Sequence, residues 1–225
     1  IRHPIGSVRL AETRLARSAA YVAGAGLLAF ATACAYWRAF SFVAIYDDEG
    51  YVLQSIRSYL EGHRLFEDVF TQYGPAFFVL ESLIHRTFHA PLTHDFERFA
   101  TVAVWVAASA CCAAMVLRLT RSSTVAVLTF VGVFVHLAPL INEPGHPQGP
   151  LLLVIALVTL IAAWDRGDAP SHVQVATVGV LTAFALLVKV NVGAYLALGF
   201  AMPVLLSSRL PRSRVTTALL ATMAT

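Results

Sequence analysis

Charge is scarce in this chain. Asp, Glu, Lys and Arg make up 13% of its 225 residues, against 58% hydrophobic residues. A soluble domain is about a quarter charged, so an ordinary water-exposed globule is excluded, and the mean hydropathy of +0.70 points to an integral membrane protein. The net charge is only +3, and no basic groove for nucleic acid can be read. Cysteine is limited to Cys34, Cys111 and Cys112, all within apolar runs. They form no spaced framework, so neither disulfides nor a cysteine metal site is expected. There is no Walker loop, dinucleotide glycine fingerprint, HExxH or nucleophile elbow. Internal repeats, low-complexity tracts and linkers are also missing, so residues 1–225 read as one membrane domain. With no initiator Met and an apolar stretch at 215–225, the chain reads as the N-terminal portion of a longer protein. The first apolar run is too long for a signal-peptide core, so no cleavable signal is expected.

What the chain has is long hydrophobic runs. Residues 1–18 are basic, with Arg2, Arg9, Arg14 and Arg17 against Glu12. Residues 19–45 are long enough for one span, since about 20 residues cross a bilayer core. Gly24 and Gly26 offer a smooth face for a neighbouring helix. Further spans are expected at 99–117, 124–141, 149–164, 173–188 and 192–206, giving about six to seven with the tail. The fold class is therefore all-α, a multi-pass transmembrane helical bundle.

The longest polar interval is Tyr46-Asp47-Asp48-Glu49-Gly50-Tyr51 and its continuation to Tyr73-Gly74-Pro75. Asp48 to Glu61 reads as a short surface helix, with Asp47 or Asp48 as N-cap and Gly62 as its stop. Val52, Ile56, Tyr59 and Leu60 recur at helical spacing. Residues 74–89 reach only about 24 Å as a helix, short for a span. On a helical wheel Glu81, Ser82, His85, Arg86 and His89 share one side, opposite Phe77, Leu80, Leu83, Ile84 and Phe88. That pattern reads as a second interfacial helix, with a short packed span as the competing reading.

The positive-inside rule decides between them. If 74–89 does not cross, the arginine-bearing loops 1–18, 118–123, 165–172 and 207–214 all fall inside and the N-terminus is cytoplasmic. Residues 46–97, 142–148 and 189–191 then lie outside. Ten of the thirteen carboxylates gather on that face: residues 47, 48, 49, 61, 67, 68, 81, 95, 97 and 143.

Several groups could carry chemistry, each with a plainer alternative. Asp47-Asp48-Glu49 reads as a solvated capping turn or as a catalytic base or metal ligand, because like-charge neighbours near lipid raise a carboxyl pKa. Glu67-Asp68 reads as a loop with two exposed acids, or as a second acidic pair. Asn142 to Gln148 is a proline-fixed loop in which Glu143 and His146 could face the first loop or merely cap helices. Lys189, among apolar neighbours, either snorkels or meets an anion. Arg98 opens a span and reads as an interface anchor. His85, His89 and His94 with Asp95 lack a fourth spaced ligand, so no metal residues are assigned, though a divalent metal is admitted.

The order of Asp48-Glu49-Gly50-Tyr51, Gly62, Phe66-Glu67-Asp68-Val69-Phe70, Tyr73-Gly74-Pro75, Arg98, Arg118 with Arg121, His146-Pro147-Gln148 and Leu186-Leu187-Val188-Lys189 resembles the N-terminal module of GT-C fold glycosyltransferases. The most similar groups are the dolichyl-phosphate-mannose protein mannosyltransferases and the bacterial lipid A aminoarabinose transferases. The resemblance implies a first external loop, 46–97, with an Asp-Glu pair and two juxtamembrane helices. It implies inverting transfer of a sugar from a polyprenyl-phosphate donor to an external hydroxyl of a lipid, glycan or protein. Asp48 would be the base and Glu49 its partner. Asp68, Arg98, Glu143, His146 and Lys189 would contact substrate. The aminoarabinose enzymes carry a Glu-Lys before a Pro-Pro turn; this chain has Gln72-Tyr73-Gly74-Pro75 there. The location implied is the bacterial inner membrane. The competing function is a transporter or flippase for a lipid-linked or small anionic substrate.

Overall fold

The computed structural model describes residues 5–41, 49–140, 145–163 and 171–207. Among these the chain is all-helical: α1 (Ile5–Ser41), α2 (Glu49–Leu60), α3 (Pro75–Thr87), α4 (His94–Thr120), α5 (Ser123–Leu140), α6 (Gln148–Ala162), α7 (His172–Val188) and α8 (Val190–Ser207). Two segments are long and apolar enough to cross a membrane, Ser18–Ser41 within α1 and the whole of α4. The α1 segment is largely exposed, whereas α4 is mostly buried or half-buried against α1, α5 and α6.

The helix ends follow from local chemistry. Gly62, at φ +97°, closes α2 with paired bonds: its N–H donates to the Tyr59 carbonyl and the His63 N–H to the Ser58 carbonyl. That is the double closure a left-handed glycine permits, and it is where the sequence expects the stop. Pro75 opens α3 at a position where no N–H is needed. Thr93 caps α4 by accepting from the Phe96 N–H at 3.3 Å. Ser171 and Gln174 form a reciprocal capping box on α7, with bonds of 3.2 and 2.9 Å.

Several boundaries differ from the sequence reading. α1 takes in the basic segment from Ile5 and runs 37 residues, about 55 Å at 1.5 Å per residue. The expected span 99–117 starts five residues earlier, because Thr93 supplies a cap and Asp95 and Glu97 suit a helix N-terminus. The break expected at 189–191 narrows to Lys189, and α7 and α8 pack against one another. Gly24 and Gly26 have no close neighbour. The buried stripe on α1 is instead Ala31, Ala35 and Ala39, one turn apart. The Asp47 and Asp48 cap, Glu143 and the loop 165–170 lie outside the described residues.

Two cores share α6. One joins α2, α3, α6 and α7 through Val52, Ile56, Tyr73, Phe77, Val158 and Val188. The other joins α1, α4, α5 and α6 through Ala35, Ala39, Trp105, Leu137 and Ala156. Val52 and Ile56 are thus the buried face expected of α2. α3 is rotated against expectation. Glu81 and His85 of its polar side are buried, whereas Val79 and Leu83 are 54% and 59% exposed. Two polar groups of that side turn inward, where His85 meets the Ala90 carbonyl and both approach Glu97, while Arg86 and His89 stay exposed.

The entry to α3 is fixed by Gly74. Its N–H donates to the Val188 carbonyl at 2.8 Å, and a Cβ there would overlap the Leu187 carbonyl oxygen. Gly74→Ala is therefore expected to destabilise by about 1–3 kcal/mol through overpacking. Gly62→Ala, with open space around it, should cost only the left-handed backbone penalty of about 1–2 kcal/mol. Thermal unfolding of the detergent-solubilised chain should place the Gly74 variant at or below the Gly62 variant; a Gly74→Ala protein as stable as wild type would contradict this packing.

Candidate functional site

The candidate site is built at the end of the bundle where α2 and α4 begin. Glu49 is the first residue of α2, and its side chain is 5% exposed. Arg98, in the second turn of α4, meets it with both edges of a fork. Nε donates to Oε1 and Nη2 to Oε2, each at 3.0 Å. This is the bidentate arrangement that a planar guanidinium favours. His94 Nδ1 lies 2.9 Å from the same Oε1. The Phe40 ring of α1 lies under the guanidinium, 5.9 Å from its carbon, and Phe99 packs on Phe40 at 5.0 Å. Glu49 and Arg98, expected as partner to a base and as a substrate contact, are thus brought together and spend their charges on each other. Asp48 directly precedes this clamp in sequence and lies outside the described residues.

A second group joins three loops. The Gly145 N–H donates to Thr101 Oγ1 at 3.0 Å, so the loop before α6 rests on α4. His146 is buried. Its Nδ1 accepts from the Gln148 N–H at 3.2 Å, which leaves the hydrogen on Nε2 of the neutral ring. Nε2 therefore donates to the Tyr73 hydroxyl oxygen. The Lys189 ammonium sits 5.7 Å from the Tyr73 ring centre, a cation–π distance. His146 and Lys189 are thus brought to one aromatic side chain, Tyr73, which the sequence reading placed in the Tyr73-Gly74-Pro75 motif without giving it a role. Of the readings for Lys189, the structure adds a third: the ammonium rests on an aromatic face.

Asp68 does not join them. It is exposed and accepts from the Arg64 N–H of its own loop at 2.9 Å, while Arg64 also pairs with Glu67 at 2.6 Å. The grouping of His85, His89, His94 and Asp95, to which the sequence reading assigned no metal, is also dispersed: His89 lies past the end of α3 and is exposed, Asp95 is exposed, and His94 turns to Glu49.

The third group escaped sequence reasoning as a unit. Glu81 and His85 on α3 face Glu97 on α4, with His85 Nε2 3.7 Å from Glu81 Oε2 and 3.4 Å from Glu97 Oε1. Burial, and after it the Glu97 carboxylate, push the Glu81 carboxyl up to about 8. Gly145 closes over Glu97, where an added Cβ would lie 3.1 Å from the Glu97 Cβ. A largely apolar cavity of about 420 Å³ opens beside these acids, walled by Phe77, Val104, Leu153 and Phe184, with His146 at its polar rim. The available signal was the Glu-x-x-x-His spacing on α3, which sets both side chains on one helical face.

Comparison with known proteins finds no family profile, no curated protein and no solved structure that matches this chain.

Breaking a buried ion pair from one side strands a charge and costs about 3–5 kcal/mol. Arg98→Leu and Glu49→Leu should each approach that loss. The double replacement Glu49→Leu with Arg98→Leu should lose clearly less than the sum of the singles. A double-mutant cycle on unfolding free energy checks this, and simple additivity would mean that the fork contributes nothing as a pair.

Proposed function

We propose that the chain is the N-terminal module of a multi-pass membrane glycosyltransferase of the GT-C type, using a polyprenyl-phosphate sugar as donor. The observation that carries the reading is convergence. Segments separated in sequence, around Glu49, Tyr73, Arg98, His146 and Lys189, meet at one end of the bundle. These are the stretches that charge bookkeeping assigns to the external side. A largely apolar cavity beside them suits a lipid-carried substrate.

In this reading Asp48 takes the proton of an acceptor hydroxyl as its oxygen attacks the anomeric carbon, with inversion. The bond from that carbon to the lipid phosphate breaks, and the phosphate leaves with the electron pair. Lys189 and His146 stand as the groups that meet the departing negative charge. Glu49 is a positioning residue: its bond to Arg98 fixes the start of α2 directly after Asp48. Arg98 acts through Glu49 rather than on phosphate. Glu143 is carried from the resemblance alone, and Asp68 serves its loop. The exposed apolar faces of α1 and α4 would meet lipid of the bacterial inner membrane, with the N-terminus cytoplasmic.

One observation favours a second reading. The buried Glu81, His85 and Glu97 beside a cavity are groups that a transporter would use. Assay of the complete protein with labelled polyprenyl-phosphate sugars separates the two. Acceptor labelling with release of lipid phosphate supports transfer, whereas sugar movement without bond cleavage supports transport. Asp48→Asn at unchanged expression should abolish transfer; full activity in that variant would sink the assignment. The sidedness has its own check. In a chain freed of its native cysteines, an impermeant thiol reagent should label a cysteine at Glu67 from outside and spare one at Ser122.

A further inference from the structure

The proposed transfer chemistry leaves Glu81, His85 and Glu97 unused. Their donor atoms lie within 4.8 Å of one another. The side chains are 7%, 4% and 5% exposed. His85 Nδ1 is 3.0 Å from the Ala90 carbonyl oxygen. A carbonyl only accepts, so Nδ1 carries the hydrogen. His85 Nε2 then points at two carboxyl oxygens, one from Glu81 and one from Glu97. His85 Nε2 and Glu97 Oε1 are buried without a hydrogen-bond partner, an arrangement costly in a low-dielectric interior.

We propose that Glu81, His85 and Glu97 form a binding site for a divalent first-row cation of the zinc class. A cation among these atoms takes one ligand atom from each of the three side chains and satisfies the unpartnered His85 Nε2 and Glu97 Oε1. Bonds of about 2.0–2.2 Å in a tetrahedron set neighbouring ligand atoms about 3.4 Å apart; the two edges to His85 are 3.4 and 3.7 Å, and all three donor atoms lie within 4.8 Å of one another, so Glu81 and Glu97 close on the ion by side-chain rotation. One imidazole with two carboxylates suits zinc better than magnesium or calcium, which prefer all-oxygen shells with more ligands. The Ala90 carbonyl on Nδ1 is the outer contact that orients a ligating histidine. Glu81 and Glu97 line the cavity, so the fourth position faces it and takes water or an anionic oxygen. Because Glu81 and His85 sit on α3 and Glu97 on α4, the ion also staples the two helices.

This site is independent of the transfer reading, and its test needs no activity. The full chain in detergent, stripped by chelator, is titrated with Zn²⁺ alone and with Co²⁺ alone. One equivalent should bind, cobalt should give the visible bands of a tetrahedral site, and zinc should raise the unfolding temperature. Glu97→Gln and His85→Gln, with helix content checked by circular dichroism, should bind at least about tenfold more weakly. Glu81→Gln serves where His85→Gln fails to fold. His89→Ala, outside the cluster, should bind like wild type. Absence of stoichiometric uptake by wild type, or uptake unchanged in the cluster variants, overturns the proposal and leaves the three groups held by shared protons.

Discussion

A buried carboxylate at the first residue of α2 must be neutralised, and the rest of this end of the molecule follows from how that is done. Glu49 receives both edges of the Arg98 fork and the His94 imidazole. Desolvating the two charges offsets much of their attraction, so the pair is worth more as a geometric constraint than as net stability. A bidentate contact fixes distance and plane together. It therefore ties the start of α2 to the second turn of α4, and the Phe40 ring brings the end of α1 to the same point.

With that point fixed, the remaining loops must approach closely, and glycine allows it. Gly74 lets the entry of α3 lie on the backbone at the end of α7, and Gly193 lets the start of α8 lie on Leu186. Gly145, at φ +72°, folds its loop onto Glu97 and Thr101. Tyr73 then reaches His146 and Lys189. These contacts set backbone against backbone, backbone against a side chain, or a ring against a polar tip. Small shifts would break them, which is why a single methyl at residue 74 cannot be absorbed.

The elements were largely legible in the sequence, and their faces were not. Apolar runs of membrane length, Gly62 and the Gly-Pro pair at 74–75 announce helices and stops through local chemistry alone. Val52 and Ile56 were readable because an amphipathic surface helix has one unambiguous apolar side. The same logic misled for α3. Its wheel separates polar from apolar correctly, but hydrophobicity assigns an inward face only when the interior is apolar. Here the interior offers Glu97 to His85 and the Ala90 carbonyl to its other nitrogen, while Leu83 and Phe88 are left exposed. Glu97 and Ala90 come from outside α3, so no reading of α3 by itself could find them. The Thr93 cap went unread because the apolar run that begins six residues later drew the boundary to itself.

The ten acids that charge bookkeeping expects on one face divide once burial is known. Seven of those ten carboxylates fall in described residues. Glu61, Glu67, Asp68 and Asp95 are exposed, as a charge excess on the outer side of a membrane would require. Glu49, Glu81 and Glu97 are buried, and exposure to water explains none of them. Glu97 and Arg98 sharpen the point. Adjacent on α4, they diverge by about 100° around the helix axis, and one faces α3 while the other faces α2. A single turn of α4 therefore carries both the Arg98–Glu49 fork and the Glu81–His85–Glu97 group. Any cation or proton that draws Glu97 toward His85 acts on the same backbone that positions Arg98, and through Glu49 on the start of α2.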